Sequence, residues 1–291
     1  MEFGLLVSGG LGEKCLSYLY IKYTIRFVLT DKKSVEIKNF CSENNIPCYS
    51  GNPRNEDILS FLKGLTSDYI LSINYIFLIN KYLINFPRVC PINFHGSLLP
   101  KYRGRTPHVW AIINDEKETG VTAHIIDEGC DTGSIIAQRK ITIDDFSTGG
   151  GILEKYNEIY PDFIDEVIQT IKENRVILIS QDESIATYFS KRTPDDGLID
   201  WNWQKRRIYN WVRALTRPYP GAFTYYNGIK IKIYGIVLSE FVFKEDFPNG
   251  YILNSDKSPI IKTPDGAIKL IDWEADAEIM FKQGEVFDER C

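Results

Sequence analysis

The stretch Ile92–Pro107 reads INFHGSLLPKYRGRTP and decides how the first half of the chain is built. It begins at the end of a short apolar run, Val89–Phe94, and passes directly into a loop rich in glycine, proline and charge. A strand that ends this way leaves the carboxyl edge of a sheet, where open α/β folds place their ligands. Asn93 and His95 are two residues apart, so on an extended strand both side chains leave the same face. One amide and one imidazole then converge on a single point. His95 is one of only three histidines in the chain, and Gly96 beside it lets backbone or ligand come close. A histidine satisfied by core hydrogen bonds is the alternative reading.

Working outward, the same alternation recurs. Glu2–Ser8, Ile25–Thr30, Ile46–Ser50 and Tyr69–Ile73 are further apolar strand candidates, and Ser34–Asn44 and Glu56–Leu65 carry helical spacing between them. Short apolar runs alternating with amphipathic stretches predict β-α units on a mostly parallel sheet, a Rossmann-like α/β fold. Gly120–Ile126 and Ser134–Ile143 add two β runs joined by an acidic, glycine-bearing turn. Ile152–Asn174 repeats its apolar residues at three- and four-residue steps and predicts a helix, with Pro161 as a site for a kink.

The pattern changes near residue 190. Lys191–Gln204 (KRTPDDGLIDWNWQ) has the proline, double aspartate and glycine of an irregular connector. A short helix, Arg206–Leu215, is followed by short β runs with turns at Asn227-Gly228, Asn249-Gly250 and Pro264-Asp265-Gly266. Such strands predict a small barrel. The reading therefore divides the chain into residues 1–190, a linker at 191–204, and a β domain at 205–291.

Composition excludes several classes. In 291 residues, 34 Lys and Arg stand against 39 Asp and Glu, a net charge of −5 that gives no help to phosphate-backbone binding. The six cysteines, Cys15, Cys41, Cys48, Cys90, Cys130 and Cys291, are scattered without a CxxC pair and are read as reduced. The longest apolar stretch, Tyr69–Asn80, falls short of the roughly 20 residues of a membrane span. No export signal opens the sequence, so a cytoplasmic protein is expected. Gly9, Gly10 and Gly12 follow the first strand but miss the GxGxxG spacing, which favours a tight strand-to-helix turn over a dinucleotide site.

The second informative segment is Val121–Gly133 (VTAHIIDEGCDTG). It reads as a strand running into a glycine-punctuated loop, from which Asp131 would reach His95 if the two strands lie side by side. His124 has a weaker case, as a strand residue making a hydrogen bond, and His108 sits at a helix start after Pro107. The acidic loop lacks the EF-hand spacing, so no metal is expected.

On INFHGSLLPKYRGRTP (Ile92–Pro107), TGVTAHIIDEGCDTGSIIAQ (Thr119–Gln138), RTPDDGLIDW (Arg192–Trp201) and RPYPGAF (Arg217–Phe223), the chain resembles the methionyl-tRNA formyltransferase-like family, and within it the nucleotide-sugar N-formyltransferases. The resemblance implies a Rossmann-like formyltransferase domain followed by an OB-like C-terminal domain. It implies a catalytic triad of Asn93, His95 and Asp131. It also implies 10-formyltetrahydrofolate as co-substrate, held by Phe77, Leu78, Ile79, Arg105 and the loop Asp127, Glu128, Gly129, Cys130 and Asp131, with no metal. Phe77-Leu78-Ile79 departs from what similar enzymes carry there, and its apolar side chains also suit a core.

The acceptor implied is a nucleotide-linked amino sugar, first a dTDP-4-amino-4,6-dideoxyglucose and then an arabinose or GDP-linked analogue, used for surface polysaccharides such as O-antigen and lipopolysaccharide. Methionyl-tRNA is the alternative acceptor. The net acidity and a short Thr30–Phe40 segment with only Lys32, Lys33 and Lys38 count against it. An inactive folate-binding homologue is the second alternative. Neither nucleic acid nor membrane is expected as a partner, and a homodimer is implied because similar enzymes often dimerise. The aromatic residues Trp201, Trp203, Tyr209 and Trp211 are read as interdomain core, with base stacking as the competing role.

Overall fold

The computed structural model describes residues 1–244, 246–256 and 258–288. The chain divides into two compact units. The first comprises Met1–Gly104, Thr119–Ile141 and Glu154–Phe189, the second Arg105–Glu118, Thr142–Leu153 and Ser190–Cys291.

In the first unit, β1 (Glu2–Val7), α1 (Gly9–Lys22), β2 (Thr24–Thr30), α2 (Val35–Glu43), β3 (Cys48–Ser50), α3 (Asp57–Leu62), β4 (Tyr69–Ile73), α4 (Lys81–Ile84) and β5 (Cys90–His95) follow one another as successive β-α steps. The two-residue β6 (Arg103–Gly104) comes next. The short helix α5 (Pro107–Ile113) belongs to the second unit, and β7 (Glu118–Ile125) and β8 (Ile135–Thr142) complete the main sheet. The strand order is β3-β2-β1-β4-β5-β7-β8. β1 to β5 pair in parallel, whereas β5 and β7 are antiparallel.

Every residue of β4 is buried, the pattern of a strand covered on both faces. Leu6, Phe27, Leu29, Ile58, Leu62, Ile70 and Leu83 form one apolar cluster of this unit. The long helix α6 (Gly149–Lys172) runs through Pro161 without a break. The two-residue strand β9 (Tyr188–Phe189) then pairs in parallel with β6, a contact between residues more than eighty apart.

In the second unit, α7 (Lys205–Leu215) accompanies a five-stranded antiparallel sheet of β10 (Ala222–Tyr226), β11 (Ile229–Ser239), β12 (Ile252–Asn254), β13 (Ile260–Thr263) and β14 (Gly266–Ala275), ordered β10-β11-β14-β13-β12. Asn227 and Gly228 both have positive φ, 52° and 75°, which suits the two-residue hairpin between β10 and β11. The connector contains one tight turn, Pro194–Gly197, closed by reciprocal bonds between Thr193 and Asp196.

Trp201 is 1% exposed, stacks on Phe287 at 5.3 Å and donates its indole N–H to Thr224 Oγ1 at 2.9 Å. Trp211 is also buried. Both rings are buried within the second unit, which fits the core role read from the sequence and not base stacking.

Candidate active site

Asn93 and His95 lie on one face of β5, at its carboxyl end. β7 runs antiparallel beside it and sets His124 opposite Asn93 and Thr122 opposite His95. Directly opposed residues share a face, so His124 joins the amide and the first imidazole. The loop after β7 folds back over that face and brings Asp131 to both β5 side chains.

The distances define a compact polar cluster. Asn93 Nδ2 lies 3.3 Å from Asp131 Oδ1 and 3.2 Å from His124 Nε2. His124 Nδ1–H donates to the Ile125 carbonyl at 2.8 Å, so in the neutral ring Nε2 accepts from the Asn93 amide. Both Asn93 contacts sit at the long end of hydrogen-bond range. His95 Nε2–H donates to the Tyr102 carbonyl at 2.8 Å, and His95 Nδ1 faces Asp131 Oδ2 at 3.6 Å. His124 Nε2 lies 3.5 Å from Asp131 Oδ1.

Asp131 is 14% exposed and His95 7%. Burial alone pushes the Asp131 carboxyl up. The neighbouring His95 and His124 rings and the Gly104 N–H, which donates to Oδ2 at 2.9 Å, outweigh that and hold it well below the usual carboxylate range. The cluster is a largely buried carboxylate flanked by two imidazoles and an amide.

Local structure explains why the loops hold this shape. Thr122 Oγ1 donates to the Ser97 carbonyl at 2.6 Å and accepts from the Leu99 N–H at 3.2 Å, fastening the loop that leaves His95 to the strand beside it. Gln138 Nε2 adds a bond to the Leu99 carbonyl at 2.9 Å. Gly96 is required because a Cβ there would meet the Tyr156 ring at 2.9 Å. The group that comes close to Gly96 is thus a core tyrosine, whose hydroxyl donates to the Gly96 carbonyl.

Other residues singled out in the sequence fall in three places. Asp127, Glu128, Gly129 and Cys130 are exposed on the loop that ends at Asp131. Phe77 and Ile79 are half-buried and Leu78 is 59% exposed, on the segment between β4 and α4. An exposed ion pair, Lys81 Nζ to Glu128 Oε1 at 2.7 Å, ties these two segments together beside the cluster. Arg105 is half-buried and opens the second unit.

His124 is the site residue that sequence reasoning undervalued. Its register opposite Asn93 follows from strand pairing, and the only sequence signal was the regular alternation of the β7 run.

Past the ends of β1 and β2, the Gly9 N–H donates to Ser34 Oγ at 2.9 Å, and Ser34 Oγ donates to Asp31 Oδ2 at 2.5 Å. The start of α1 is therefore engaged by a hydroxyl and a carboxylate of its own unit, in keeping with a tight strand-to-helix turn. Cys15, Cys41, Cys48, Cys90 and Cys130 are free thiols, and Cys291 lies outside the described residues. Among the described residues no cluster of three or more His, Cys, Asp or Glu side chains is arranged to hold a metal ion, and no helix is long and apolar enough to cross a membrane.

Comparison with known proteins places this geometry in a family. Residues 23–168 match the formyl transferase family, and residues 191–287 match the formyl transferase C-terminal domain. The chain is 36% identical over 255 residues to the bifunctional polymyxin resistance protein ArnA of Wigglesworthia glossinidia brevipalpis, covering 84% of this chain and 38% of that protein. It is 32% identical over 246 residues to the methionyl-tRNA formyltransferase of Dictyoglomus turgidum, covering 83% of this chain and 78% of that one. In structure it is similar to WlaRD, a sugar 3N-formyl transferase solved in the presence of dTDP and 5-N-formyl-THF. The TM-score is 0.70 at 22% identity, covering 96% of this chain and 99% of that one.

Proposed function

The chain belongs to the formyl transferase family, and from that premise we propose that it moves the formyl group of 10-formyltetrahydrofolate to the amine of a nucleotide-linked amino sugar, with Asn93, His95 and Asp131 as its catalytic residues. The observation that carries this reading is the convergence of Asn93 and His95 on the two oxygens of one largely buried carboxylate, at 3.3 and 3.6 Å.

Formyl transfer to an amine needs two things from the protein. Negative charge gathers on the formyl oxygen as the amine attacks, and the amine must shed a proton. Asn93 Nδ2–H is the donor for that charge, because its present bonds are long enough to be exchanged for a bond to an anionic oxygen. His95 takes the amine proton and returns it to the donor's nitrogen as the bond from that nitrogen to the formyl carbon breaks, and Asp131 supports the ring while it is charged, as the carboxylate does in hydrolytic triads.

10-Formyltetrahydrofolate supplies the electrophilic formyl carbon when bound. The residues that would hold it are the Phe77-Leu78-Ile79 backbone, Arg105 and the Asp127–Asp131 loop. Leu78 gives an exposed apolar contact, which fits one face of a flat ring.

For the acceptor, the similarity to a sugar formyl transferase solved with dTDP supports a nucleotide sugar, and the net charge of −5 disfavours a polyanionic RNA. The first acceptor to try is dTDP-4-amino-4,6-dideoxyglucose, in a cytoplasmic step of surface-polysaccharide synthesis by a homodimer. Methionyl-tRNA is the second reading, favoured by the 32% identity to a methionyl-tRNA formyltransferase.

The test is mass spectrometry after incubation with 10-formyltetrahydrofolate and a panel of dTDP-, UDP- and GDP-linked amino sugars, with initiator methionyl-tRNA alongside. One formyl mass added to a single nucleotide sugar is the expected result. Formylation of the tRNA alone overturns the acceptor, and no product despite folate binding overturns the enzyme reading.

A further inference from the structure

Asp131 adopts φ of 56°, a left-handed backbone that an aspartate holds only when its surroundings fix it. Its carboxylate is fixed by the Gly104 N–H. Its peptide is fixed by a residue that has not yet entered the site. Gln181 Nε2 donates to the Asp131 carbonyl at 2.8 Å and to the Gly133 carbonyl at 2.7 Å, spending both amide hydrogens on the loop.

Gln181 is itself oriented. Its Oε1 accepts from Arg103 Nη2 at 2.8 Å and Nε at 3.2 Å. Arg103 is fully buried, pairs with both Glu183 oxygens at 2.9 and 2.6 Å, and donates to the Tyr188 hydroxyl. A guanidinium has only donors, so Oε1 must face it and Nε2 must face the loop.

The same segment braces His95. Tyr102, whose carbonyl receives His95 Nε2–H, has φ of 62°, donates its N–H to Thr187 Oγ1 at 2.8 Å, and stacks on Phe189 at 5.1 Å. Gln181–Phe189 therefore backs both residues that face His95.

We propose that Gln181, oriented by Arg103, is a positioning residue that sets the Asp131 carboxylate against His95. The inference rests on the formyl-transfer reading and deepens it.

Gln181→Glu tests it, because the shape and the acceptor toward Arg103 are kept while both donors toward the loop are lost. Gln181→Asn, too short to reach the two carbonyls, is the second variant. In each, kcat at saturating donor and acceptor is expected to fall about tenfold or more, with Tm close to wild type. A merely structural role would lower Tm and spare kcat on the folded fraction. Hydrogen exchange gives a readout free of activity: the Gly104 amide, which donates to Asp131 Oδ2, is expected to lose protection while the β5 amides keep theirs. Wild-type Gly104 protection in both variants overturns the inference, as does unchanged kcat. Failure of the functional reading looks different, since the wild-type chain then formylates nothing while the exchange result still decides the role of Gln181.

Discussion

His95 directs Nε2 at the carbonyl oxygen of Tyr102, 2.8 Å away, and leaves Nδ1 facing Asp131 Oδ2 at 3.6 Å. A carbonyl only accepts, so Nε2 carries the hydrogen and an incoming proton settles on Nδ1, against the carboxylate. That carboxylate is ionised at neutral pH, because the surrounding donors and charge outweigh its burial. Asp131→Asn keeps the shape and removes the charge that would stabilise the imidazolium. Its kcat is expected to fall by roughly 10²–10⁴, the range of a general acid-base contribution, with the fold intact by circular dichroism. A variant within a few-fold of wild type would remove Asp131 from the mechanism. The depressed carboxyl also fixes a sign: its stabilising contribution is complete above the unfolded value of about 3.9 and is lost as pH falls through the lower folded value.

Asn93 shares its amide hydrogens between His124 and Asp131. Asn93→Ala removes the proposed donor for the developing oxyanion, and turnover is expected to fall by about 10²–10³ while the KM for the formyl donor changes little. His124 is 2% exposed and aligns the Asn93 amide from β7. His124→Gln keeps an acceptor and His124→Leu does not, so kcat of the leucine variant should lie about tenfold below that of the glutamine variant, near 1.4 kcal/mol in barrier. Equal rates for the two would show that Asn93 needs no help from β7.

Gly104 has φ of 95°, and a Cβ there would meet the Phe189 carbonyl oxygen at 2.3 Å. Side chains rarely adopt that backbone, and the obstacle is main chain of the paired strand. Gly104→Ala must therefore separate β6 from β9, moving the N–H that binds Asp131 Oδ2. Stability is expected to fall by roughly 1–3 kcal/mol of strain, read as a lower Tm, together with a loss of transfer larger than that destabilisation accounts for. Activity that recovers fully on cooling would reduce the effect to stability alone.

The parts of the site legible in the sequence are local. Asn93 and His95 need only a strand to share a face, and the Ile92–Phe94 run before a glycine announces that strand. Asp131 was legible through its loop and the family pattern. His124 was harder: it joins the site only through its register opposite Asn93, 31 residues away, which periodicity does not encode. Gln181 is harder still, since it reaches Asp131 across 50 residues from an irregular segment without a periodic pattern. Trp201 was legible as core although its neighbours are polar, but its partner was not: β10 supplies the Thr224 hydroxyl that satisfies its N–H there.

His108 gives the second unit its own pH dependence. It lies at the start of α5, 7% exposed, with Nε2 2.6 Å from the Tyr219 hydroxyl. Burial lowers its pKa to about 4 and raises that of Tyr219 to about 12, so both groups are neutral across the physiological range. An unfolded imidazole titrates near 6.5, so the unfolded chain binds this proton first. Stability from His108 is then complete above about pH 6.5 and is lost as pH falls towards 4. Between about pH 7 and pH 5 the loss is about 2 kcal/mol from this residue. His108→Gln keeps a polar partner for Tyr219 and has no proton to gain. Urea unfolding at the two pH values should show wild type losing about 2 kcal/mol more than the variant. Equal losses would mean that water reaches the ring and that its burial does not control the titration.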